Sequence, residues 1–398
     1  MANRVALVTH DLSLGGGTAA VTYFLHRILL DSCRYMPEII SLAISARDDA
    51  IVRLLSPTSW FRGPQIQRRQ WNDLPYYHVG AWLAEIEFQR YLPRVGLNEL
   101  LESYDLIQIV NGTPAWGYVA HCCSKLVSLF TATTIEAERA TRLSQESGPK
   151  WVWLKLMTEL NARLESLALD RAECVFAESI STFERLKTYS GIRRLILAPP
   201  GVDTSFFQPT ETKSGGYILS VGRFSDPRKN VRLLLRAYAK VWRTTRHVPE
   251  LVLVGTPPST EILRYIADND MTEKVRIHGN VNEIELARLY REAIAFVLSS
   301  DEEGLGIVIL EAMASGLPVV STNCGGPSTA IVEGETGFLT PVGDADAMAE
   351  AIKRLLDDPS LCQRMGRAGR RVAEDRFSLE VTGKVYLDHY DRLLSESK

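Results

Sequence analysis

The chain has 398 residues, of which 45% are hydrophobic and 23% charged, a composition typical of folded globular proteins. At roughly 100–200 residues per domain, this length favours two domains. The formal net charge of −3 gives no general attraction to nucleic acid, so we expect no nucleic-acid partner.

The cysteines and the first residues of the chain bear on its compartment. Six cysteines are scattered without a C-x-x-C pair, which favours reduced thiols over disulfides or a zinc site, and we predict no metal. The chain opens directly on the strand-like run Val5–Val8, without the basic start and apolar stretch of a signal peptide. No window approaches the ~20 apolar residues that span a bilayer. We therefore expect a cytoplasmic protein.

Short β-rich runs alternate with helical patterns along the first half of the chain, which indicates parallel α/β units. The first strand is predicted over Arg4–Thr9 and the helix behind it over Ala19–Leu30. Further strands are predicted at Glu38–Ile44, Leu106–Val110, Lys125–Phe130 and Ala172–Phe176.

The segment Leu197–Pro209 is rich in proline and glycine and lacks periodicity, so we interpret it as the junction between two domains. After it the alternation restarts. Strands are predicted at Tyr217–Val221, Leu251–Val254, Val275–His278, Ala293–Leu298 and Pro318–Ser321, and helices at Asn230–Trp242, Glu261–Ala267, Glu283–Arg291, Gly306–Ser315 and Ala345–Leu356. Asn282 and Glu285 have the spacing of a capping box at one helix start.

The predicted fold class is therefore α/β, with two Rossmann-like doubly wound domains. Ligands of such folds bind beyond the carboxyl ends of the strands, so two facing sheets would share one cleft. We expect an N-terminal, acceptor-side domain over residues 1–198 and a donor domain over residues 199–375. The last stretch, 376–398, is predicted to be a helix that packs back on the N-terminal domain.

A glycine-rich turn, Gly15–Gly17, follows the first strand and opens the first helix. Glycines there let the backbone approach a phosphate at the helix N-terminus. The run also fits the dinucleotide pattern G-x-G-x-x-A, but no acid follows the second strand to hold a ribose. Ser45 and Arg47 would instead suit the extra phosphate of NADP. A tight turn without a ligand is the remaining alternative.

Two cations follow the first strand of the second half. The segment Gly222–Asn230 places Arg223 at the carboxyl end of a strand and Lys229 at the start of a helix. Cations beside a positive helix end repel one another and are expected to gain nothing structurally. They suit a diphosphate, which arginine grips by its planar fork and lysine by its point charge. Solvated surface charges are the alternative.

Two glutamates mark the most informative helix, in Ser299–Pro318. The apolar run Ile307–Leu310 predicts a buried helix, so Glu311 needs hydrogen-bond partners there, which ribose hydroxyls would supply. Glu303 lies just before the helix, near the donors of its first turn. The alternative is that Glu311 pairs with an arginine across the core and that Glu303 only decorates the helix start.

These residues together resemble the retaining GT-B glycosyltransferases of family four. Glu303 and Glu311 match the family's E-x7-E motif, and Gly222-Arg223 with Lys229-Asn230 match its G-R…K-G segment, with asparagine for the second glycine. Pro200–Asp203, followed by Phe207 and Pro209, resembles its interdomain G-V-D…F-P signature. Gly325-Gly326 and Thr336-Gly337 match later family glycines.

The resemblance implies a retaining, metal-independent glycosyltransferase whose substrate is a UDP-, GDP- or ADP-sugar and which needs no further cofactor. It implies that Glu303, Arg223 and Lys229 are catalytic, with both cations on the pyrophosphate and Glu303 at the sugar. The other donor contacts that it implies are Gly16 and Gly17 from the first domain, with Val254, Gly255, Ile277, Asn280, Gly304, Gly306, Ile307, Val308 and Glu311 from the second.

The acceptor side departs from the family. A histidine common at the end of one N-terminal strand is replaced by the run Thr131–Thr134, and Ser328 replaces an acid. We name Asn111, Thr131 and Thr133 as acceptor-side candidates, for a sugar or a lipid-linked acceptor of glycan, polysaccharide or glycolipid synthesis.

Aromatic and basic residues alternate in Trp60–Arg62, Gln67–Trp71 and Lys150–Lys155. Such stretches either contact the inner face of a membrane peripherally or form core-packed helices with a basic outer face.

Three other functions stay open. A sugar-nucleotide epimerase of the same fold would need an acid/base pair, an NADP-dependent oxidoreductase would leave Glu303 and Glu311 idle, and a non-catalytic sugar-nucleotide sensor would not need Glu303.

Overall fold

The structure, a computed structural model, describes residues 2–12, 15–71, 74–210, 216–245 and 247–396. It divides the chain into two compact units, one of residues 1–199 with 383–398 and the other of residues 200–382. Within the described ranges, no helix combines the length and apolar character that crossing a membrane requires.

The described strands of the first unit form one eight-stranded sheet in the order β3-β4-β2-β1-β5-β6-β7-β8. All neighbours are parallel except β3 and β4. The order grows outward from β1 on both sides, as a doubly wound sheet requires. The strands are β1 (Asn3–His10), β2 (Tyr35–Leu42), β3 (Ile66–Trp71), β4 (Leu74–Val79), β5 (Leu106–Asn111), β6 (Leu126–Thr131), β7 (Cys174–Ala177) and β8 (Leu195–Leu197).

Helices cover this sheet because its central strands are apolar on both faces. Val5 to Val8 of β1 are each fully buried, which is typical of a parallel strand between two helical layers. The predicted strands and first helix are confirmed, with ends that shift by at most three residues. The helices are α1 (Gly17–Asp31), α2 (Pro57–Arg62), α3 (Val95–Leu101), α4 (Ile135–Gln145), α5 (Gly148–Arg171) and α6 (Ile180–Leu186).

The prediction of core-packed helices with a basic outer face is wrong for the aromatic-basic stretches. Gln67–Trp71 lies in the edge strand β3, whose residues alternate between exposed and half-buried, a period of two that indicates a strand. Lys150–Lys155 is helical, within α5, but Trp151 and Trp153 are 38% and 53% exposed. Neither stretch packs its tryptophans fully into the core.

The described strands of the second unit form a six-stranded, fully parallel sheet in the order β11-β10-β9-β12-β13-β14. Its predicted elements are confirmed to within two residues. The strands are β9 (Ile218–Arg223), β10 (Leu251–Thr256), β11 (Val275–His278), β12 (Ala295–Leu298), β13 (Val319–Thr322) and β14 (Gly337–Thr340). The helices are α7 (Val231–Thr244), α8 (Thr260–Asp268), α9 (Glu283–Glu292), α10 (Ile307–Ala314), α11 (Ala345–Asp357) and α12 (Pro359–Phe377).

The last helix, α13 (Leu379–Glu396), leaves the second unit and from residue 383 belongs to the first. Its tyrosines reach into the core of the first unit. The hydroxyl of Tyr386 donates to the carbonyl of Ala198 at 2.5 Å, and the hydroxyl of Tyr390 donates to Oε1 of the buried Gln108 at 2.7 Å. These bonds give each of the two buried tyrosine hydroxyls a partner, and Oε1 of Gln108 also accepts from the hydroxyl of Ser128 at 2.6 Å.

Candidate functional site

The candidate site lies at the carboxyl ends of the strands of the second unit. There β9 and β10 approach so closely that only glycine fits: a Cβ on Gly255 would lie 2.2 Å from the carbonyl oxygen of Gly222. Gly255 also has φ of +127°, a conformation that other residues rarely adopt. The glycines therefore keep the backbone open where Arg223 ends β9.

A single 3₁₀ turn, Pro227–Lys229, connects this strand end to α7. Asn230 ends the turn in the left-handed conformation, with φ of 39° and ψ of 51°, which asparagine tolerates better than most residues. Its side chain accepts from the backbone N–H of Leu233 and donates to Asp301 at 2.8 Å. This geometry gives a physical reason for asparagine at the position where the family pattern has glycine.

Lys229 and Glu303 form an ion pair. Nζ of Lys229 lies 2.5 Å from Oε1 of Glu303, and the two side chains are 17% and 11% exposed. The hydroxyl of Ser300 donates to the same carboxylate oxygen at 2.6 Å. The expectation that Lys229 gains nothing structurally is therefore wrong, because the acid predicted to be catalytic fixes its position.

Arg223 is more accessible than Lys229. Its side chain is 47% exposed, and its guanidinium lies 3.7 Å from the carboxylate of Asp226. Asp226 is closer to Arg228, at 2.8 Å; burial alone would raise the pKa of Asp226, but the hydrogen bonds and positive charge of Arg228 outweigh it and lower that pKa. Arg223 is thus loosely held beside a strand end, where a diphosphate can attract it.

Glycines shape the start of α10. Gly306 precedes the helix in a left-handed conformation, with φ of 86°. A Cβ on Gly326 would lie 2.4 Å from the carbonyl oxygen of Gly304, so the matched Gly325-Gly326 pair allows the two backbones to pack together. Ile307 and Val308 begin the helix and are half-buried, so its first N–H groups lie at an accessible edge of the unit.

Glu311 lies one turn further along α10 and is half-buried. Its partner is not an arginine, as one alternative supposed, but Tyr290 of α9, whose hydroxyl donates to Oε2 at 2.8 Å. Burial raises the pKa of Glu311 to about 7, although the hydrogen bond from Tyr290 lowers it. The carboxylate of Glu311 has further acceptor sites besides the one that Tyr290 uses, and a ligand hydroxyl can donate to them.

The residues predicted to flank a base lie at the same edge of the sheet. Val254 is buried near the end of β10 and pairs with His278 of the neighbouring β11. Ile277 is half-buried in β11, and Asn280 is exposed just after that strand. The structure therefore gathers the predicted donor residues of the second unit along one edge.

In the first unit, Gly16 and Gly17 begin α1. Gly16 has φ of 85° and precedes the helix, Gly17 is its first residue, and both are exposed. The first turn of α1 carries no acidic residue that would repel an anion. This is the local geometry that contact with a phosphate requires.

The sequence interpretation overlooked His10, at the carboxyl end of β1. Its Nδ1 pairs with Oδ1 of Asn111, and its ring stacks on Trp116 with centroids 5.9 Å apart. Asn111 is 1% exposed, and its Nδ2 has no hydrogen-bond partner within the described chain. A polar residue directly after a buried strand was the available signal for His10.

The threonine candidates differ in what their hydroxyls do. Thr131 is fully buried, and its hydroxyl is within hydrogen-bond distance of the carbonyls of Gly112 and Thr133. Thr133 is half-buried, and Arg185 donates to its hydroxyl oxygen at 3.4 Å. Of the two side chains, that of Thr133 is the more accessible. Among the described residues, no group of three or more His, Cys, Asp or Glu side chains is arranged to hold a metal ion.

Comparison with known proteins identifies the family. A profile described as "Glycosyl transferases group 1" matches residues 202–372. The D-inositol 3-phosphate glycosyltransferase of Arthrobacter sp. (strain FB24) is 34% identical over 332 residues, which cover 78% of this chain and 74% of that protein. The chain belongs to the glycosyl transferases group 1 family. The resemblance to glycosyltransferases predicted from the motifs is thereby confirmed.

Other members of this family match over shorter stretches. The MMP alpha-(1->4)-mannosyltransferase of Mycolicibacterium hassiacum is 30% identical over 203 residues, 51% of this chain and 49% of that protein. The GDP-mannose-dependent alpha-(1-6)-phosphatidylinositol monomannoside mannosyltransferase of Mycolicibacterium smegmatis is 33% identical over 206 residues, 46% and 53% of the two chains. The present chain thus matches about half the length of these relatives.

Solved structures confirm the fold. Sucrose-phosphate synthase from Thermosynechococcus elongatus superposes with a TM-score of 0.76 at 20% identity, covering 99% of this chain and 100% of that one. Anabaena Alr3699/HepE, solved in complex with UDP and glucose, gives 0.73 at 15% identity, covering 98% and 100%. The predicted GT-B fold class, with two Rossmann-like parallel-sheet domains, is confirmed.

Proposed function

We propose that this chain is a glycosyltransferase that moves a sugar from a nucleoside-diphosphate donor to a hydroxyl acceptor. The observation that carries the proposal is the group formed by Arg223, Lys229, Glu303 and Glu311 at one edge of the second sheet. Family membership supports the same conclusion. We assign donor binding to the second unit and acceptor binding to the first.

The residues suit the departure of a diphosphate. Lys229 is fixed by its ion pair with Glu303, whereas Arg223 is loosely held, so a rigid point charge and an adjustable fork are both available. Fixed cations stabilise the charge that develops as the bond from the anomeric carbon to the diphosphate oxygen breaks. The N–H groups at the start of α10 add donors at the same edge. We assign the ribose hydroxyls to Glu311 and the sugar hydroxyls to Glu303.

We further propose retention of anomeric configuration without a metal ion. The acceptor oxygen bonds to the anomeric carbon on the face that the diphosphate leaves, and the acceptor proton passes to the leaving oxygen. Arg223 and Lys229 supply the positive charge that a metal would otherwise provide. His10 and Asn111, at the carboxyl edge of the first sheet, are the groups that we assign to a sugar or lipid-linked acceptor.

Release of nucleoside diphosphate from UDP-, GDP- and ADP-sugars tests this function. We expect release with sugars of one base, and a loss of at least a hundredfold in Lys229→Ala, because that substitution removes the fixed cation and leaves Glu303 unpaired. Proton NMR of the product then reports its anomeric configuration, and chelator treatment should leave the rate unchanged. Equal release by wild type and Lys229→Ala would contradict the assignment. Interconversion of sugar nucleotides without an acceptor would indicate an epimerase.

A further inference from the structure

Five large apolar side chains of the first unit are exposed together around α2. Leu55 and Phe61 are 93% and 95% exposed, and Leu54, Trp60 and Trp82 are 49%, 44% and 42% exposed. Trp60 and Trp82 make an edge contact with ring centroids 6.1 Å apart, which joins the α2 segment to the residues after β4. We call these five residues the apolar tip.

Regular hydrogen bonds hold the backbone beneath the apolar tip. The buried Ser59 accepts from the N–H of Arg53 at 3.0 Å and donates to the carbonyl of Ser56 at 2.6 Å. The indole N–H of Trp60 donates to the carbonyl of Arg53 at 2.9 Å, and Val52 and Trp82 form a parallel bridge. The apolar tip is therefore presented by a defined local structure, and its exposure is costly unless something covers it.

Arg53 and Arg62 lie beside the apolar tip, and the acid Glu85 also contacts it by accepting from the N–H of Leu54 at 3.2 Å. Arg53 donates to the carbonyls of Arg47 and Asp48, and Arg62 donates to the carbonyl of Asp49. Carbonyls orient these guanidinium groups but leave their positive charge in place. The side chains of Asp48 and Asp49 instead bind Arg69 of β3. With Arg53 and Arg62 against Glu85, the rim of the tip carries a net positive charge.

We propose that the apolar tip and its arginine rim dock the first unit on an anionic lipid bilayer. Side chains more than nine-tenths exposed project from the surface, which suits insertion into a fluid layer. Tryptophans place an apolar ring and a polar N–H at the boundary of such a layer, and arginines beside them attract acidic headgroups. A protein partner would need a pocket matched to each projecting residue.

Docking on a bilayer would bring the first unit to a lipid-linked acceptor, whose hydroxyl lies at the bilayer surface. This role rests on the proposed function, which assigns acceptor binding to the first unit. The sequence pattern had indicated Trp60–Arg62, Gln67–Trp71 and Lys150–Lys155 equally. The structure favours Trp60–Arg62 as the membrane contact. In β3 the charge of Arg69 is paired with acids, whereas Trp60 and Phe61 are exposed together with Leu54, Leu55 and Trp82.

Co-sedimentation with vesicles tests the proposal without any transfer reaction. The full chain is mixed with vesicles of phosphatidylcholine alone or with 30% phosphatidylglycerol (roughly the charge density of an anionic leaflet), at low and high salt. The variants are Leu55→Asp/Phe61→Asp for the tip and Arg53→Gln/Arg62→Gln for the rim. Ile284→Asp, at a 72% exposed position of the second unit, is the matched control. Trp151→Asp/Trp153→Asp tests the exposed tryptophans of α5.

We expect wild type to bind the anionic vesicles, more weakly at high salt, and the tip variant to lose at least tenfold in partition coefficient. The rim variant should lose binding only to anionic vesicles, and Ile284→Asp should behave as wild type. Absence of wild-type binding, or a loss only in the α5 variant, would overturn the proposal. Concentration-dependent self-association that disappears in the tip variant, without vesicle binding, would mean that a second copy covers the tip. Nucleotide-induced thermal shifts of the same variants separate this inference from the donor site.

Discussion

Glu311→Gln should separate the pH dependence of nucleotide binding from that of folding. Glu311 accepts from Tyr290, and burial raises its pKa to about 7. If the carboxylate also accepts from ribose hydroxyls, its ionised form should bind the nucleotide more tightly, because an ionised acceptor makes the stronger hydrogen bond. Glutamine keeps the size and an acceptor oxygen but cannot ionise.

The direction in which stability changes with pH depends on how many protons Glu311 binds in the folded and in the unfolded chain. Between pH 4.5, the ordinary pKa of a glutamate, and about pH 7, folded Glu311 is protonated whereas the unfolded carboxyl is ionised. The stabilising contribution is therefore fully present below pH 4.5 and is lost as the pH rises through 7, a change of at most about 3 kcal/mol. Nucleotide affinity has the opposite dependence and should rise by up to about tenfold from pH 6 to pH 8, as Glu311 ionises.

Urea unfolding and calorimetric nucleotide binding between pH 5.5 and 8 measure the two slopes. Glu165→Gln is the matched control, because burial also raises the pKa of Glu165 to about 7, but its carboxylate binds the N–H of Ile135 and the hydroxyl of Tyr189 in the first unit. Both variants should flatten the stability slope, and only Glu311→Gln should flatten the affinity slope. A wild-type affinity that does not change with pH, or an unchanged slope in Glu311→Gln, would refute the contact.

Lys229→Met should lower the free energy of unfolding by about 1–3 kcal/mol, because it leaves the Glu303 carboxylate without its cation. Urea denaturation measures this loss, and Lys229→Arg should restore part of the lost stability. Gly255→Ala should cost about 2–4 kcal/mol, because the added Cβ would meet the Gly222 carbonyl at a positive φ; an unchanged melting temperature would contradict this. Tyr390→Phe should destabilise by about 0.5–1.5 kcal/mol, because it removes one of the two hydroxyl donors to Oε1 of Gln108 and leaves that of Ser128, and hydrogen exchange should increase in α13.

The sequence predicts the fold well where a single pattern of apolar residues marks the element. Buried parallel strands such as β1 and β12 are short apolar runs between helical patterns, so their positions are readable. The N-cap half of the predicted capping box is also present, with the Asn282 side chain accepting from the N–H of Glu285, whereas the Glu285 carboxylate accepts from Arg288. The sequence does not predict β3, because the composition of this edge strand, with Arg68 and Arg69 between aromatic residues, is also that of a helix with a basic outer face.

Contacts between distant residues are what the sequence does not encode locally. Nothing near Lys229 indicates that its charge meets Glu303 across 74 residues, nor that Tyr290 is the partner of Glu311. His10 was missed for the same reason, since Asn111 reaches it only because β1 and β5 are neighbours in the sheet. The residues of a site are visible as motifs, whereas their pairing depends on the topology.

The central claim is that Arg223 and Lys229 bind the diphosphate of a nucleotide donor. The most direct test is a thermal-shift panel of UDP, GDP, ADP, their common sugars and NADP on wild type and Arg223→Ala/Lys229→Ala. A nucleotide at ~100 times its dissociation constant should add about 2.7 kcal/mol of stability. We predict a shift with one nucleoside diphosphate that the double variant loses. A shift with NADP alone, with none of the compounds, or retained by the double variant would contradict the account.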